Sequence, residues 1–468
     1  MSQPLRRYIG LLIIGVGVMI GPLDTSVNIA FPHIIADLNQ PMTMIQWLVT
    51  CYVLTYASLI LIFGKLGDLY GQHKIFCIGL VISIFALLLI SVTNSFNTLL
   101  FFRFLQGIGT GLLTSVAPAM MISLYPEKNR AYALGLFTLF FAIGGLLGPI
   151  IGGILIDLFD WRAVFWFRIP IAIFSLILLF LIPKTPKTIR TTSFDFLGSI
   201  TLVLSLAFCL ITLNLLHRLE THGIWPLIAY ASASAFFIFS FVKQEGKAND
   251  PILNLKIFKN ISFVIINLAS CLLYLVTFTV ILIIPFALYR ISSISTNEAG
   301  FILSIGFVGA SLAGIMAGRL IGPFKANHMC FTGILLAGIG LSLMAWVRLP
   351  DHLFFMAAAL FLQGFGTGLF QTSYLFIITG MLPDSQRGVS GSIAMLTRTI
   401  GVVSGVSLLT LAFSWFNKTN TEAGLEMSEI FHKSFQQIFG LAGGTLLLFL
   451  LITLIKPRVW FGKRTKQV

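Results

Sequence analysis

The sequence predicts an all-α polytopic membrane protein with fourteen transmembrane helices in a 6+2+6 order. Three observations carry this expectation. Of 468 residues, 57% are hydrophobic and 10% charged, whereas a soluble chain carries roughly 25% charged residues. Apolar runs of membrane-spanning length recur from one end of the chain to the other. A nine-residue segment of the first half also returns, nearly unchanged, in the second.

A spanning helix needs about 20 mostly apolar residues, and such runs fall at 8–31, 45–63, 75–93, 98–122, 133–156, 163–182, 196–216, 224–242, 261–289, 300–321, 329–347, 353–379, 389–413 and 437–455. The first begins like a signal peptide, with Arg6-Arg7 before Tyr8 to Ile20. Its apolar stretch continues to Ala30 without a convincing small-residue cleavage site, so it reads as a retained span. The turn between the seventh and eighth runs is crowded by His217, Arg218, Glu220 and His222.

An even number of spans puts both termini on one side. The 30 Lys and Arg residues exceed the 16 Asp and Glu residues, a formal charge of +14. With the N-terminus placed in the cytoplasm, 21 basic residues fall on inner segments and 7 on outer segments and span entrances, Arg162 and Arg168 among these. Arg103 and Arg398 lie well inside spans. This bias sets both ends in the cytoplasm, and it removes nucleic acid as the explanation of the positive charge. The five cysteines sit in apolar runs without CxxC spacing, so neither a disulfide framework nor a metal site is expected.

Phe104-Leu-Gln-Gly-Ile-Gly-Thr-Gly-Leu112 recurs as Phe361-Leu-Gln-Gly-Phe-Gly-Thr-Gly-Leu369, eight identities in nine at an offset of 257. The offset continues from Pro126 and Arg130 to Pro383 and Arg387, and from Gly144 and Gly148 to Gly401 and Gly405. Spans four and twelve are therefore equivalent and point the same way. Two parallel six-helix halves with an inserted pair follow, an arrangement used by transporters. The expected divisions are an N-terminal half at 1–183, the inserted helices at 184–258 (opening on Lys184, Lys187 and Arg190), a C-terminal half at 259–455 and a basic cytoplasmic tail at 456–468 with Lys463, Arg464 and Lys466.

Several segments, in order, resemble the signatures of the major facilitator superfamily and of its fourteen-span drug:proton antiporter branch. Leu23-Asp24-Thr25-Ser26-Val27-Asn28, with Ala30 and Pro32, resembles the first-helix signature. Gly64-Lys-Leu-Gly-Asp68-Leu-Tyr-Gly71 resembles the loop signature between spans two and three. Arg103 with Gln106-Gly107 is similar to the fourth-helix motif. Gly144-Gly145, Gly148-Pro149 and Gly152-Gly153 resemble the fifth-helix motif associated with exporters. Trp161-Arg162, Pro170 and Trp225 fit as well. The chain departs from the pattern at Leu69 and Gln72, where basic residues are usual, and at Arg168, where the branch commonly carries Asn. The resemblance implies the major facilitator fold, multidrug-type efflux, a bacterial cell (inner) membrane and protons as coupling ion with no cofactor. In some relatives of the branch it also implies a periplasmic adaptor protein.

The residues supply their own argument for proton coupling. No GxxxxGK[ST] run is present. Of the acidic residues, only Asp24 lies well inside a span. Low dielectric favours its neutral acid, and a nearby arginine favours its carboxylate. At 1.5 Å per residue, Asp24 is about 12 Å inside Pro32 and Arg103 about 9 Å inside Asn97, so the two can meet at one level. Arg398, about 14 Å inside Val389, is a further candidate for coupling. The alternatives are packing for Asp24, snorkelling for Arg103 and neutralisation by carbonyls for Arg398. Asp68, in the loop with Gly64 and Gly71, is placed to accept helix N-terminal N–H groups or to pair with Lys65, Lys74 or Arg130, a cytoplasmic gate; a solvated charge is the alternative. Gly144, Gly148 and Gly152 form one smooth stripe for close helix contact.

Polar and aromatic residues on spans 1, 2, 9 and 12 are candidates for a substrate cavity: Asn28, Trp47, Tyr52, Tyr56, Asn267, Tyr274, Gln363, Gln371 and Tyr374. The expected partners are small amphipathic molecules and the lipid bilayer. The function expected is proton-coupled export of such compounds; export of one specific metabolite or siderophore is the alternative. An intramembrane enzyme is disfavoured. A second membrane carboxylate and HExxH are absent, and Gly388-Val-Ser390-Gly391 has no histidine within the spans to serve as base. A passive channel fits the parallel halves and the paired charges poorly. The longest outer segment, Ser414 to Gln436, is the expected docking surface for an adaptor.

Overall fold

The structure, a computed structural model, describes residues 3–40, 44–181, 195–215, 223–248, 251–291, 296–348, 352–383 and 386–462. The Lys184–Arg190 linker, the turn with His217, Arg218, Glu220 and His222, and the tail residues Lys463, Arg464 and Lys466 lie outside the described residues. Helices dominate for a physical reason. In hydrocarbon every backbone N–H and C=O must be satisfied within its own segment. Thirteen described helical stretches are long and apolar enough to cross a membrane, the first of them, Ile9–Phe31, running over a break, and the sixth expected run is met by the shorter apolar stretch Ala163–Leu179.

In chain order the helices are α1 (Gln3–Met19), α2 (Ser26–Asp37), α3 (Ile45–Tyr70), α4 (Gln72–Ser91), α5 (Phe96–Ser123), α6 (Arg130–Leu158), α7 (Ala163–Trp166), α8 (Arg168–Leu179), α9 (Phe196–Leu215) and α10 (Ile224–Glu245). They continue as α11 (Ile261–Ile291), α12 (Thr296–Leu320), α13 (Ala326–Met344), α14 (Leu353–Met381), α15 (Arg387–Glu422), α16 (Met427–Thr453) and the short α17 (Arg458–Phe461). The chain forms two compact units. One comprises 1–203, 244–253 and 378–396; the other comprises 204–243, 254–377 and 397–468.

Three expectations are corrected. The first span is not one helix: α1 and α2 are separated by a 3-10 turn at Pro22–Thr25. Pro22 has no N–H to continue the α-helical ladder. The segment 64–70 is not a loop but the last turns of α3, and the reversal into α4 needs only Gly71, at φ 98. A side chain at that φ would be strained, which is why glycine stands there. Finally, Ser414 to Gln436 is mostly helix, because α15 runs to Glu422 and α16 restarts at Met427. Asn420 Nδ2 ties the two by donating to Ser434 Oγ and Gln437 Oε1, both at 2.9 Å. Hydropathy marks where apolar character ends, whereas a helix can continue as long as its hydrogen bonds and packing do.

The sequence repeat is legible in the packing. A Cβ on Gly107 of α5 would lie 2.7 Å from the Tyr52 carbonyl oxygen of α3, and one on Gly109 would lie 2.9 Å from the Ser83 backbone nitrogen of α4. The equivalents in α14 do the same: a Cβ on Gly364 would strike Gly306 of α12, and one on Gly366 would strike Ala337 of α13. The shared glycines serve close helix contact in both units.

Candidate functional site

The broken first span presents Asp24 from its 3-10 turn. Arg103 of α5 grips this carboxylate with both terminal nitrogens, Nη1 to Oδ1 at 2.7 Å and Nη2 to Oδ2 at 2.9 Å. This is the bidentate geometry that makes arginine–carboxylate pairs strong. The rest of Arg103 is also engaged. Its Nε donates to the Leu48 carbonyl at 3.1 Å, Nη1 donates to Gln106 Oε1 at 2.7 Å, and the guanidinium lies 4.5 Å from the Tyr52 ring centroid. Gln106 closes the loop by donating Nε2 to Asp24 Oδ1 at 3.0 Å.

A third charged residue belongs to the group. Arg168, the first residue of α8, donates Nη1 to Asp24 Oδ1 at 2.8 Å and Nε to the Val164 carbonyl at 3.0 Å. The sequence places it at a span entrance; the structure buries it completely, at 0% exposed against 1% for Arg103 and 12% for Asp24. Its signal was the departure from Asn at this position. The α7–α8 stretch carries it inward from the apolar run's start at Ala163. One carboxylate thus faces two guanidiniums in the interior of one unit. Such a group is expensive to desolvate and costly to break.

The glycine stripe of α6 has a specific partner. A Cβ on Gly144 would lie 2.8 Å from Pro22 Cγ, and one on Gly152 would lie 2.9 Å from Ser26 Cβ. A Cβ on Gly148 would collide with Thr25 Oγ1. Thr25 Oγ1 also donates to the Gly145 carbonyl at 3.4 Å. Pro149 lies within α6 itself, and nothing lies within 4 Å of a Cβ built on Gly153. The stripe therefore cradles the turn that carries Asp24.

At the end of α3, Asp68 accepts the backbone N–H of Gly388 at 2.7 Å and of Val389 at 3.1 Å, the first turn of α15. It is the helix-N-terminal role, one of the two expected. Gly64 lies alongside, where a Cβ would collide with Ser392 and Gly388. Lys65, 5% exposed, donates Nζ to the Pro251 carbonyl at 3.1 Å. Arg130 pairs with Glu127 at 3.5 Å. Away from the spans, Asp37 accepts the Trp161 indole N–H at 3.0 Å and pairs with Arg162 at 3.0 Å. The indole hydrogen bond and then the guanidinium hold its carboxyl below the usual carboxylate range.

The expected cavity residues separate into two sets. In the first unit Tyr52 is buried beside half-buried Tyr56, with ring centroids 5.6 Å apart, while Asn28 and Trp47 are exposed on their helices. In the second unit Tyr274 donates to Gln371 Oε1 at 2.5 Å and Tyr374 to Asn267 Oδ1 at 2.8 Å. Gln363 donates to Thr277 and Thr367, at 3.1 and 3.0 Å. Arg398 lies beside this second set, its guanidinium 4.9 Å from the Tyr274 ring centroid.

Apolar spans, a doubled glycine-bearing repeat and a buried charge group on a broken helix define a polytopic transport protein. The chain belongs to the major facilitator superfamily, whose model matches residues 9–246 and 266–466. It is a membrane transporter of that family and not an enzyme. It is 28% identical over 385 residues to the multidrug transporter protein MdtP of Bacillus subtilis, covering 82% of this chain and 71% of that protein. It is 29% identical over 412 residues to the riboflavin transporter RibZ of Clostridioides difficile, covering 87% and 89%. Among solved structures, the human organic anion transporter MFSD10 matches its fold with a TM-score of 0.70 at 15% identity, covering 97% of this chain and 99% of that one.

Proposed function

We propose that this transporter is a proton-coupled antiporter that exports amphipathic small molecules from the cytoplasm across the bacterial cell (inner) membrane, with both termini cytoplasmic. The observation that carries the reading is the buried Asp24 carboxylate held by Arg103 and Arg168 on a broken helix. A proton arriving from outside neutralises the carboxylate and weakens its hold on both guanidiniums. Loss of the proton towards the cytoplasm restores the grip. The α6 stripe transmits this change, because the turn it cradles is the one that carries Asp24. Asp68, capping α15, acts as a latch on the cytoplasmic gate whose strength depends on the cap. The halves that alternate are 1–183 and 259–455, and the outer α15–α16 turn is the surface an adaptor would use.

Kinship to a multidrug transporter supports a broad substrate range. Kinship to a riboflavin transporter supports the second reading, export of a single metabolite. Reconstitution into vesicles with an imposed pH gradient, screened with cationic, neutral and anionic lipophiles, tests both. Uphill accumulation of several unrelated lipophiles supports the first reading and of one compound the second; absence of any gradient-driven accumulation contradicts coupling.

A further inference from the structure

The second unit brings together buried Tyr274 and Gln371 and half-buried Arg398. Gln371 of α14 has its Oε1 engaged by the Tyr274 hydroxyl at 2.5 Å, while its buried Nε2 has no acceptor among the described residues. A buried amide N–H without an acceptor costs about 1–3 kcal/mol, so a native position that keeps one calls for an explanation. The ring of the same Tyr274 carries the Arg398 guanidinium over it, 4.9 Å from the centroid. The close approach of α15 to α11 that seats this ring depends on Gly401, where a Cβ would lie 3.0 Å from Tyr274 Cβ. The three residues thus present an aromatic face, an amide donor and a positive charge together.

The charge environment has one sign. Of the six acidic residues from 259 to 455, Asp351 and Asp384 lie outside the described residues, and Glu298, Glu422, Glu426 and Glu429 lie in an end turn of a helix or between helices. Arg398 lies deep within α15. A lipophilic cation would meet no carboxylate among these spans and would approach a guanidinium of its own sign. An oxygen acceptor on a flat ring would instead meet the Gln371 N–H and the Arg398 charge while stacking on Tyr274.

The geometry points to a recognition site at Tyr274, Gln371 and Arg398 for planar aromatic molecules that carry carbonyl or other acceptor oxygens and are uncharged or anionic. The inference rests on the reading of the chain as an exporter of amphipathic molecules, and it names their class. The site lies in the opposite unit from Asp24, so it does not require substrate and proton to share one charged group.

The test is equilibrium binding to purified full-length protein in nanodiscs, followed by probe fluorescence or calorimetry. Anthraquinone-2-sulfonate serves as a planar, carbonyl-bearing anion and ethidium as a planar cation. Wild-type protein binds the anthraquinone at least about tenfold more tightly than ethidium. Gln371→Leu and Arg398→Gln each weaken anthraquinone binding about fivefold or more, on the scale of one charge-assisted or buried hydrogen bond, and leave ethidium unchanged or tighter. Arg398→Lys, which keeps the charge, retains most of the affinity and guards against misfolding as the cause. Equal or tighter ethidium binding by the wild type, no anthraquinone binding, or affinity unmoved in both Gln371→Leu and Arg398→Gln overturns the inference. Gradient-driven transport in vesicles is read separately. Its failure with the binding pattern intact contradicts the antiport reading alone; its success with the binding pattern absent contradicts the recognition site alone.

Discussion

Asp24 and Arg103 face each other through two parallel hydrogen bonds of 2.7 and 2.9 Å, one to each carboxylate oxygen, in the interior of one unit. Everything else around them is arranged on this pair: Gln106 bridges both partners, Leu48 orients the arginine, and Arg168 joins on the Oδ1 side. Removing one partner of a buried pair leaves an uncompensated charge, at a cost of about 3–5 kcal/mol. Arg103→Ala is therefore expected to lower the thermal unfolding temperature in detergent sharply. Arg168→Gln leaves the bidentate pair in place, and its loss is expected to be clearly smaller. Equal losses would show that the two arginines are equivalent.

The α6 stripe makes a positional prediction. Gly148→Val drives a side chain into Thr25 and displaces the turn that carries Asp24, so transport is expected to fall to background while some folded protein remains. Gly153→Ala meets open space and is expected to leave transport within about twofold of wild type, surface-like substitutions being near neutral. Vesicle uptake by the two variants, normalised to folded protein, checks this.

Asp68 accepts two N–H groups at the start of α15. Replacing a capping residue with alanine costs about 0.5–2 kcal/mol of helix stability, so Asp68→Ala is expected to speed amide hydrogen exchange at Gly388 and Val389 by roughly two- to thirtyfold on that scale. Asp68→Asn keeps an acceptor oxygen and should lie between. Unchanged exchange at these two amides would remove the cap from the account.

Asp37 supplies a pH dependence with a definite sign. Its partners Trp161 and Arg162 lower its carboxyl's affinity for protons in the folded state. Its stabilising contribution is then complete above the unfolded value, about 3.9, and is lost as pH falls through the lower folded value. Trp161 fluorescence is expected to stay constant from about pH 8 to 5 on this basis and to change only below about 4. Asp37→Asn abolishes that acid transition.

Asp24 and Arg103 were legible in the sequence because a charge inside an apolar run is conspicuous, and the rise per residue fixes its depth. Arg168 was not, since a basic residue near the start of a run looks the same whether it reaches back to the surface or folds inward. The glycine stripe announced a close contact but not its partner, which depends on which helix packs against α6. The break in the first span was written in Gly21-Pro22, yet hydropathy alone runs straight through it. Conversely, the glycines at 64–71 suggested a loop where the helix persists to Tyr70, because glycine permits a turn without requiring one.

In the proposed mechanism Asp24 carries the proton exchanged for substrate. This is tested most directly by measuring proton release, with a pH-sensitive dye in weak buffer, when a transported substrate is added to purified protein. The account predicts stoichiometric release from the wild type and none from Asp24→Asn, with substrate binding retained. Equal proton release from both proteins would contradict it.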